Sequence, residues 1–269
     1  MLSAMPVAHL NGTDLHYSDA GVAHARDAVL LLHAFPLHSG MWTPQLAALA
    51  RRHRVVAPDY RGLGQTPPSG EASTMALLAG DVRALLVHLR IERAAVVGIS
   101  MGGYVALELF RQQPGLFRGL ALCSTRAGAD SEEGKASREA FARTALERGT
   151  GWVADEMAPR LLREGVSAAE LKHVKDLVRG GTPAGVAAAQ RGMAARPDST
   201  ATLATIRCPA RVIHGELDGL IPMAEAEKLA AAVPGAVLVR IPSAGHLPNL
   251  ENPEAFNRAL EGLVDGLQA

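Results

Sequence analysis

The sequence lacks several features that define other classes of protein. No apolar run reaches the roughly 18 residues of a transmembrane helix. Residues 1–11 lack the basic segment and apolar core of a signal peptide, so none is expected. The 27 basic residues equal the 27 acidic ones, which leaves no basic excess for binding nucleic acid or an anionic membrane. Two cysteines, Cys123 and Cys208, make no disulfide framework, so a reducing cytoplasm is the expected location.

Motifs for metals and nucleotides are also missing. There is no H-E-x-x-H motif and no cysteine cluster, and neither His33 nor His214 has a partner at metal-ligand spacing. The chain has no P-loop and no G-x-G-x-x-G sequence after its first strand. We therefore expect no metal and no other cofactor. The expected partner is a small molecule rather than nucleic acid or a membrane.

Apolar residues make up 48% of the 269 residues, which is enough for one large core with an inserted subdomain. Runs 7–10 and 15–17 flank Asn11-Gly12-Thr13-Asp14 and predict a β-hairpin. Further apolar runs predict strands at 28–32, 54–57, 94–97, 119–122, 210–214 and 237–241. Helical periodicity falls at 40–50, 74–90, 101–110, 224–233 and 253–263. This alternation predicts an α/β fold with a mostly parallel central sheet and helices on both faces.

The alternation stops between residues 126 and 196, where no convincing strand is found. This stretch carries 12 Lys/Arg and 10 Asp/Glu, and its helical patterns are separated by Gly149, Gly165 and Gly180-Gly181. We expect residues 126–196 to form an inserted helical cap, and residues 1–125 and 197–269 to form the core. The cap's net charge of +2 does not by itself require an anionic substrate, although Arg126 or Arg191 would suffice to bind a carboxylate.

A G-x-S-x-G motif, Gly98-Ile99-Ser100-Met101-Gly102, joins the predicted strand 94–97 to the helix that begins at Met101. So abrupt a turn needs small neighbours and holds its serine in a strained conformation with the hydroxyl exposed. The Met101 amide and the helix dipole would stabilise an oxyanion there. The alternative is a glycine-rich turn in which Ser100 only caps the helix.

Two further side chains follow predicted strands, namely Asp218 after 210–214 and His246 after 237–241. Because active sites in such sheets lie at the carboxyl ends of the strands, Ser100, Asp218 and His246 are expected to meet. Their order along the chain is that of a Ser-Asp-His triad, in which His246 accepts the serine proton and Asp218 orients the imidazole. Asp218 with Gly219 is also a common turn pair, and Glu216 is a local competitor for the acid.

These motifs together resemble the α/β-hydrolase superfamily over nearly the whole chain. The resemblance is carried by His33–Pro36, Asp59–Gly64, Gly98–Gly103, Gly215–Asp218 and Gly245-His246. The chain is most similar to the small capped serine hydrolases that include carboxylesterases and 3-oxoadipate enol-lactonase. The resemblance implies an oxyanion hole formed by the Phe35 and Met101 amides. Family members usually have glycine where this chain has Ala34.

The resemblance implies a serine hydrolase that cleaves a small carboxylic ester or lactone through an acyl-enzyme. Relatives that use an aspartate nucleophile are excluded by Ser100. An enol-lactonase, a perhydrolase, a carbon–carbon bond hydrolase, an acyltransferase and a non-catalytic ligand receptor stay open as alternatives. The expected assembly is a monomer or a homodimer.

Substrate choice is expected to depend on the cap. Leu247 beside His246 and Phe35 in the oxyanion loop are candidates for the pocket wall. Trp152 is a further candidate for that wall, but Trp152, Met157, Leu161 and Leu162 either line the pocket or form the core of the cap itself. In the family the Asp59–Gly64 stretch is usually a structural loop, so Asp59 and Arg61 are expected to pair or cap locally.

Overall fold

The computed structural model describes residues 5–265, so residues 1–4 and 266–269, at the ends of the predicted core, lie outside the described residues. Within residues 5–265, one sheet contains β1 (Val7–Leu10), β2 (Thr13–Gly21), β3 (Asp27–Leu32), β4 (Arg54–Pro58), β5 (Arg93–Ile99), β6 (Phe117–Cys123), β7 (Ala210–Gly215) and β8 (Val237–Ile241). Their order across the sheet is β1-β2-β4-β3-β5-β6-β7-β8.

The sheet is mostly parallel. β1 and β2 form the predicted hairpin, and β2 runs antiparallel to β4. All other neighbours are parallel, from the β4–β3 pair at one side to the β7–β8 pair at the other. The predicted α/β fold class is therefore confirmed. The carboxyl ends of β5, β7 and β8 lie at the same edge of the sheet, so the loops that follow them are neighbours.

Helices cover both faces of the sheet. As a result, β3, β4 and β5 are buried along almost their entire length. The helices outside the segment between β6 and β7 are α1 (Thr43–Leu49), α2 (Met75–His88), α3 (Met101–Gln112), α8 (Met223–Ala232), α9 (Pro248–Glu251) and α10 (Pro253–Val264). α1 packs on α10, where the rings of Trp42 and Phe256 lie 6.2 Å apart, and α2 packs on α3. The predicted helix at 40–50 begins as a 3₁₀ turn, Ser39–Trp42, before α1 starts at Thr43 with Pro44 in its first turn.

The segment between β6 and β7 contains α4 (Glu132–Leu161), α5 (Ala168–Arg179), α6 (Pro183–Ala194) and α7 (Thr200–Leu203), and no strand is found among its described residues. α4 packs against both α5 and α6. Gly149 interrupts α4 with φ of 77°, and Ser167 starts α5 with a capping box. The division into a core and a cap stays a prediction, and these helices are the segment to which it refers.

Two strands beside the site extend further than their apolar runs predict. β5 continues through Gly98 and Ile99, and β6 continues to Cys123, because Gly98 pairs with Leu122 and Ile99 with Cys123. The sheet thus reaches the residue before Ser100. None of the helices in residues 5–265 has the length and apolar character needed to span a membrane.

Candidate active site

Ser100 is held between β5 and α3 in a conformation that non-glycine residues rarely adopt, with φ of 54° and ψ of −115°. The Ser100 amide donates to the carbonyl oxygen of Cys123 at 2.9 Å, and Thr125 Oγ1 donates to the carbonyl oxygen of Ser100 at 2.8 Å. Ser100 occupies the N-cap position of α3, yet its side chain makes no capping hydrogen bond. The simple capping role is therefore not what its hydroxyl performs.

The two glycines of the motif are required by close packing around the turn. A Cβ atom on Gly98 would lie 2.3 Å from the carbonyl oxygen of Gly102. A Cβ atom on Gly102 would lie 2.1 Å from the carbonyl oxygen of Leu32, at the end of β3. Only glycine permits these approaches, which bring the first turn of α3 against the sheet and hold Ser100 at its edge.

Asp218 and His246 form a hydrogen-bonded pair in the loops after β7 and β8. His246 Nδ1 lies 2.9 Å from Asp218 Oδ2, and both side chains are fully buried. Asp218 Oδ1 accepts the amides of Leu220 at 2.8 Å and Ile221 at 2.9 Å. Burial raises the pKa of Asp218, but the His246 ring and these two amides outweigh it and lower the pKa, so the carboxylate is ionised.

Asp218 thus closes a turn and also contacts His246, and it uses a different carboxylate oxygen for each contact. Oδ1 closes a local turn through the two amides, while Oδ2 contacts the histidine. Glu216, the competing acid, is exposed to solvent.

The second ring nitrogen of His246 is available to act as a base. With Nδ1 donating its proton to Asp218, Nε2 is the unprotonated nitrogen. Within residues 5–265 this atom is buried and has no hydrogen-bond partner. Ser100 Oγ therefore does not yet bond to it, and catalytic hydrogen bonds commonly tighten only when substrate binds.

Two amides that the sequence associates with an oxyanion hole are free. Among the described residues, neither the Phe35 nor the Met101 amide has a hydrogen-bond acceptor. The loop that carries Phe35 is fixed by His33, whose Nδ1 bonds the Ala34 carbonyl oxygen at 3.0 Å and whose Nε2 accepts the Tyr60 amide at 3.1 Å. Burial lowers the pKa of His33 to about 4, so its ring is neutral when it makes these bonds.

Two histidines that sequence reasoning weighed only as metal ligands thus have positioning contacts instead. His214, fully buried at the end of β7, places Nε2 3.0 Å from the Ile221 carbonyl oxygen and 3.5 Å from Asp218 Oδ2. Burial lowers the pKa of His214, so it packs beside Asp218 as a neutral ring. Its position four residues before Asp218 is the one sequence signal that would have identified this contact.

A cavity of about 300 Å³ lies against Ser100. Phe35, Tyr104 and Phe141 contribute aromatic wall, and Met157, Met193, Leu220 and Ile221 contribute aliphatic wall. Its charged lining residues are Arg126, Asp130, Arg138 and Arg160. A volume of this size suits a small molecule.

The predicted pocket residues need correction. Neither Trp152 nor Leu247 lines the cavity at Ser100. Trp152 packs behind the wall, with its ring 4.9 Å from that of Phe141, and Leu247 is fully buried in the core. Leu161 and Leu162 are buried outside the lining as well, whereas Phe35 and Met157 do line the cavity. The wall is set by how α4 packs on α6, which the sequence pattern does not specify.

The two arginines considered for a carboxylate have different environments. Arg126 lines the cavity, whereas Arg191 does not and instead bonds Glu139 at 2.9 and 3.2 Å.

The expected local roles in the Asp59–Gly64 stretch are confirmed. Asp59 accepts the Ser39 and Gln65 amides, and Arg61 forms a two-pronged ion pair with Asp81.

Burial raises the pKa of the Cys123 thiol, which opposes a thiolate nucleophile. In the described part of the chain, no three His, Cys, Asp or Glu side chains cluster in a way that would hold a metal ion.

Residues 29–259 match the model of the alpha/beta hydrolase family. The chain is 31% identical over 248 residues to 3-oxoadipate enol-lactonase 1 of Acinetobacter baylyi, covering 90% of each protein. It is 30% identical over 265 residues to a putative carbamate hydrolase of Caulobacter, covering 93% of this chain and 95% of that one.

Solved structures of similar proteins superpose over nearly the full length. A thermophilic esterase from Thermogutta terrifontis matches with a TM-score of 0.91 and 36% identity, covering 98% of each chain. The enol-lactonase from Burkholderia xenovorans matches with a TM-score of 0.88 and 32% identity, covering 98% of this chain and 100% of that one.

Proposed function

The chain belongs to the alpha/beta hydrolase family, and from this premise we propose that it is a serine hydrolase that cleaves a small carboxylic ester or lactone. The observation that carries the proposal is the buried Asp218–His246 pair, whose free Nε2 lies among the strand-end loops that also present Ser100. Ser100 is the nucleophile, His246 the general base and acid, and Asp218 the residue that orients the imidazole.

The reaction begins when Ser100 Oγ attacks the substrate carbonyl carbon and His246 Nε2 accepts the hydroxyl proton. The carbonyl oxygen becomes an oxyanion, which the amides of Phe35 and Met101 stabilise. His246 then donates its proton to the departing alkoxide, which leaves an acyl-enzyme ester on Ser100. A water molecule that gives its proton to His246 attacks this ester and releases the acid, and the proton returns to Ser100.

Asp218 stabilises the imidazolium that forms in each step. Its lowered pKa keeps it ionised, so the positive charge on His246 lies 2.9 Å from a buried carboxylate oxygen. In a site with little water this attraction is stronger than in bulk solvent, which lowers the barrier to proton transfer.

A lactone is the second substrate class that comparison supports. Two of the similar proteins are enol-lactonases, and a lactone is a cyclic ester that the same steps would open. In that case the alkoxide formed in the first step stays attached to the acyl group.

The proposal also includes a location in the cytoplasm, a core of residues 1–125 and 197–269 with a cap of residues 126–196, and a monomer or homodimer.

The test is hydrolysis of p-nitrophenyl esters of increasing acyl length and of simple lactones by the native protein and by Ser100→Ala. We expect the native protein to release p-nitrophenolate with a burst, and the variant to lose at least about 10³-fold in kcat. Mass spectrometry of the acid-quenched native protein would show the acyl group on the peptide that contains Ser100.

Unchanged activity in Ser100→Ala would overturn the nucleophile. If the native protein turned over neither esters nor lactones, the hydrolytic proposal itself would fail, and the ligand-receptor alternative would gain support.

A further inference from the structure

The cavity at Ser100 has an excess of positive charge. Its lining includes three arginines, Arg126, Arg138 and Arg160, but only one acid, Asp130. Within residues 5–265, Arg160 has one ion-pair partner, Glu156, which lies 3.8 Å away and is 46% exposed. The acid lining the cavity therefore leaves two positive charges uncompensated beside the proposed nucleophile.

Asp130 organises these arginines. Its side chain is 2% exposed and bonds three guanidinium groups, those of Arg126, Arg138 and Arg196. Burial raises the pKa of Asp130, but the bonds from Arg196 and Arg138 outweigh it and lower the pKa, so Asp130 is an anion. One carboxylate thus fixes three cations in a small volume.

The third of these arginines has a structural role. Arg196 is 3% exposed, and besides Asp130 it bonds the carbonyl oxygens of Met193 at 2.8 Å and Gly128 at 2.9 Å. Its guanidinium also lies 4.2 Å from the Tyr104 ring centroid. Arg196 therefore anchors Asp130 rather than facing a ligand.

Arg126 is placed differently. Its side chain is 35% exposed, its Nη2 bonds Asp130, and the Tyr104 side chain also interacts with the guanidinium. Its Nε is buried without a hydrogen-bond partner in residues 5–265. Glu225, the other acid that acts on Arg126, is paired with Lys228 at 2.7 Å. A guanidinium that Asp130 holds at the cavity wall and that keeps about a third of its side chain exposed is suited to binding a planar anion.

We propose that the substrate carries a carboxylate, which Arg126, oriented by Asp130 and aided by Arg138, binds while Ser100 attacks the ester or lactone bond. The inference rests on the proposed function and narrows its substrate class from neutral esters to acidic ones. A carboxylate would compensate one of the two excess charges, whereas an uncharged acyl chain would not.

The test compares substrates that differ only in charge. Mono-p-nitrophenyl glutarate and its methyl ester place the charge on the acyl side, and 4-acetoxybenzoate and its methyl ester place it on the alcohol side. We expect at least one acid to be hydrolysed with a kcat/KM about 10- to 100-fold above that of its methyl ester, as hydrogen bonds to a charged group predict. Added salt should reduce this preference.

The variants are Arg126→Gln, Arg138→Gln and the control Arg191→Gln, which removes a charge from the same helical segment outside the cavity. Arg126→Gln should abolish the preference by lowering the kcat/KM for the acid to about that for its methyl ester. A urea midpoint close to that of the native protein shows that the variant has folded. Arg138→Gln should reduce the preference partially, and Arg191→Gln should leave it unchanged.

Equal kcat/KM for both members of each pair, with Ser100-dependent turnover, would overturn the carboxylate inference and leave the proposed function standing. A preference that survives both Arg126→Gln and Arg138→Gln would overturn the assigned residues. No turnover of any of the four substrates would remove the proposed function and this inference with it.

Discussion

Nδ1 of His246 lies 2.9 Å from Oδ2 of Asp218, and neither side chain is exposed to solvent. A buried carboxylate with one oxygen held by two amides and the other by a ring nitrogen has no freedom to choose another partner. It therefore fixes the tautomer of His246, since only a ring protonated at Nδ1 makes this bond, and the other nitrogen is left to accept a proton.

Asp218→Asn should lower kcat by about 10⁴-fold with a smaller effect on KM. The amide NH₂ group of asparagine donates to Nδ1 and so selects the wrong tautomer, with the proton on Nε2. Steady-state kinetics on a p-nitrophenyl ester measures the loss. Glu216→Gln is the matched control, because Glu216 is an exposed acid in the same loop, and its kcat should stay within about twofold of native. If both variants lost activity equally, Asp218 would not be the orienting acid.

Gly102→Ala should destabilise the protein by about 1–3 kcal/mol, because the new Cβ atom would lie 2.1 Å from the Leu32 carbonyl oxygen. Backbone atoms cannot rotate away as a side chain can, so the turn at Ser100 must shift. Urea denaturation measures the free energy of unfolding, and the rate of ester hydrolysis reports the displacement of Ser100. Gly115→Ala, where no atom lies within 4 Å of the added methyl, should change neither. Native stability in Gly102→Ala would contradict the packing described.

Arg61→Met should cost about 3–5 kcal/mol of unfolding free energy, since it leaves the Asp81 carboxylate buried without its cation. Both side chains are nearly inaccessible, at 6% and 3% exposed, and their bonds measure 2.6 and 2.8 Å. The double variant Arg61→Met/Asp81→Leu should recover much of the loss, because no lone charge remains. Urea midpoints of the native protein, the single variant and the double variant decide this. A double variant as unstable as the single one would show that the shapes of these side chains matter more than their charges.

The free energy of unfolding should depend on pH partly through the protonation of His33. Its folded pKa of about 4 lies below the ordinary 6.5, so the unfolded chain takes up the proton first as the pH falls. Stability is therefore lost between about pH 6.5 and pH 4, by up to about 1.4 kcal/mol per pH unit for this group. His33→Gln should remove that slope. Because burial also lowers the pKa of His38, His53 and His214, the difference between native and variant urea midpoints at each pH isolates His33. Parallel curves would contradict the neutral buried ring.

Local sequence patterns identified the strands and the position of Ser100 because those features depend on nearby residues. The run 94–97 is a buried strand by composition, and the two glycines around Ser100 are needed by contacts that the motif itself encodes. Asp218 and His246 could be placed together because a parallel sheet brings strand ends to one edge, so a residue's position after its strand was sufficient.

The cavity wall could not be predicted in the same way, since it depends on residues distant in the chain. Asp130 bonds Arg196, 66 positions away, and the periodicity of neither segment indicates that contact. Trp152 was predicted to line the pocket as an aromatic residue in the helical insertion, but Phe141, eleven positions earlier, lies in the wall instead. Which side of α4 faces Ser100 is decided by its packing on α5 and α6, and by the break at Gly149.

Glu251 connects the end of α4 to the loop that carries His246. Its Oε1 accepts the Arg163 amide at 2.8 Å, just after α4, and its Oε2 accepts the Gly245 amide at 2.8 Å, beside His246. Burial raises the pKa of Glu251 despite these two amides. One carboxylate thus holds the position of His246 and the adjacent end of α4 together.

Glu251→Ala leaves the Arg163 and Gly245 amides without their acceptor, and each loss should destabilise the protein by about 1–3 kcal/mol. The variant should also have a lower kcat, because the loop that carries His246 is no longer held in place. Glu251→Gln, which keeps one acceptor oxygen, should lose less of both. Because the folded protein binds the Glu251 proton more tightly than the unfolded chain, ionisation costs stability as the pH rises above 4.5. Native stability relative to Glu251→Gln should therefore fall over that range, measured by urea midpoints. Glu254→Gln, on the exposed first turn of α10, should show no such trend. Equal kcat in Glu251→Ala and native protein would show that the His246 loop keeps its position without this carboxylate.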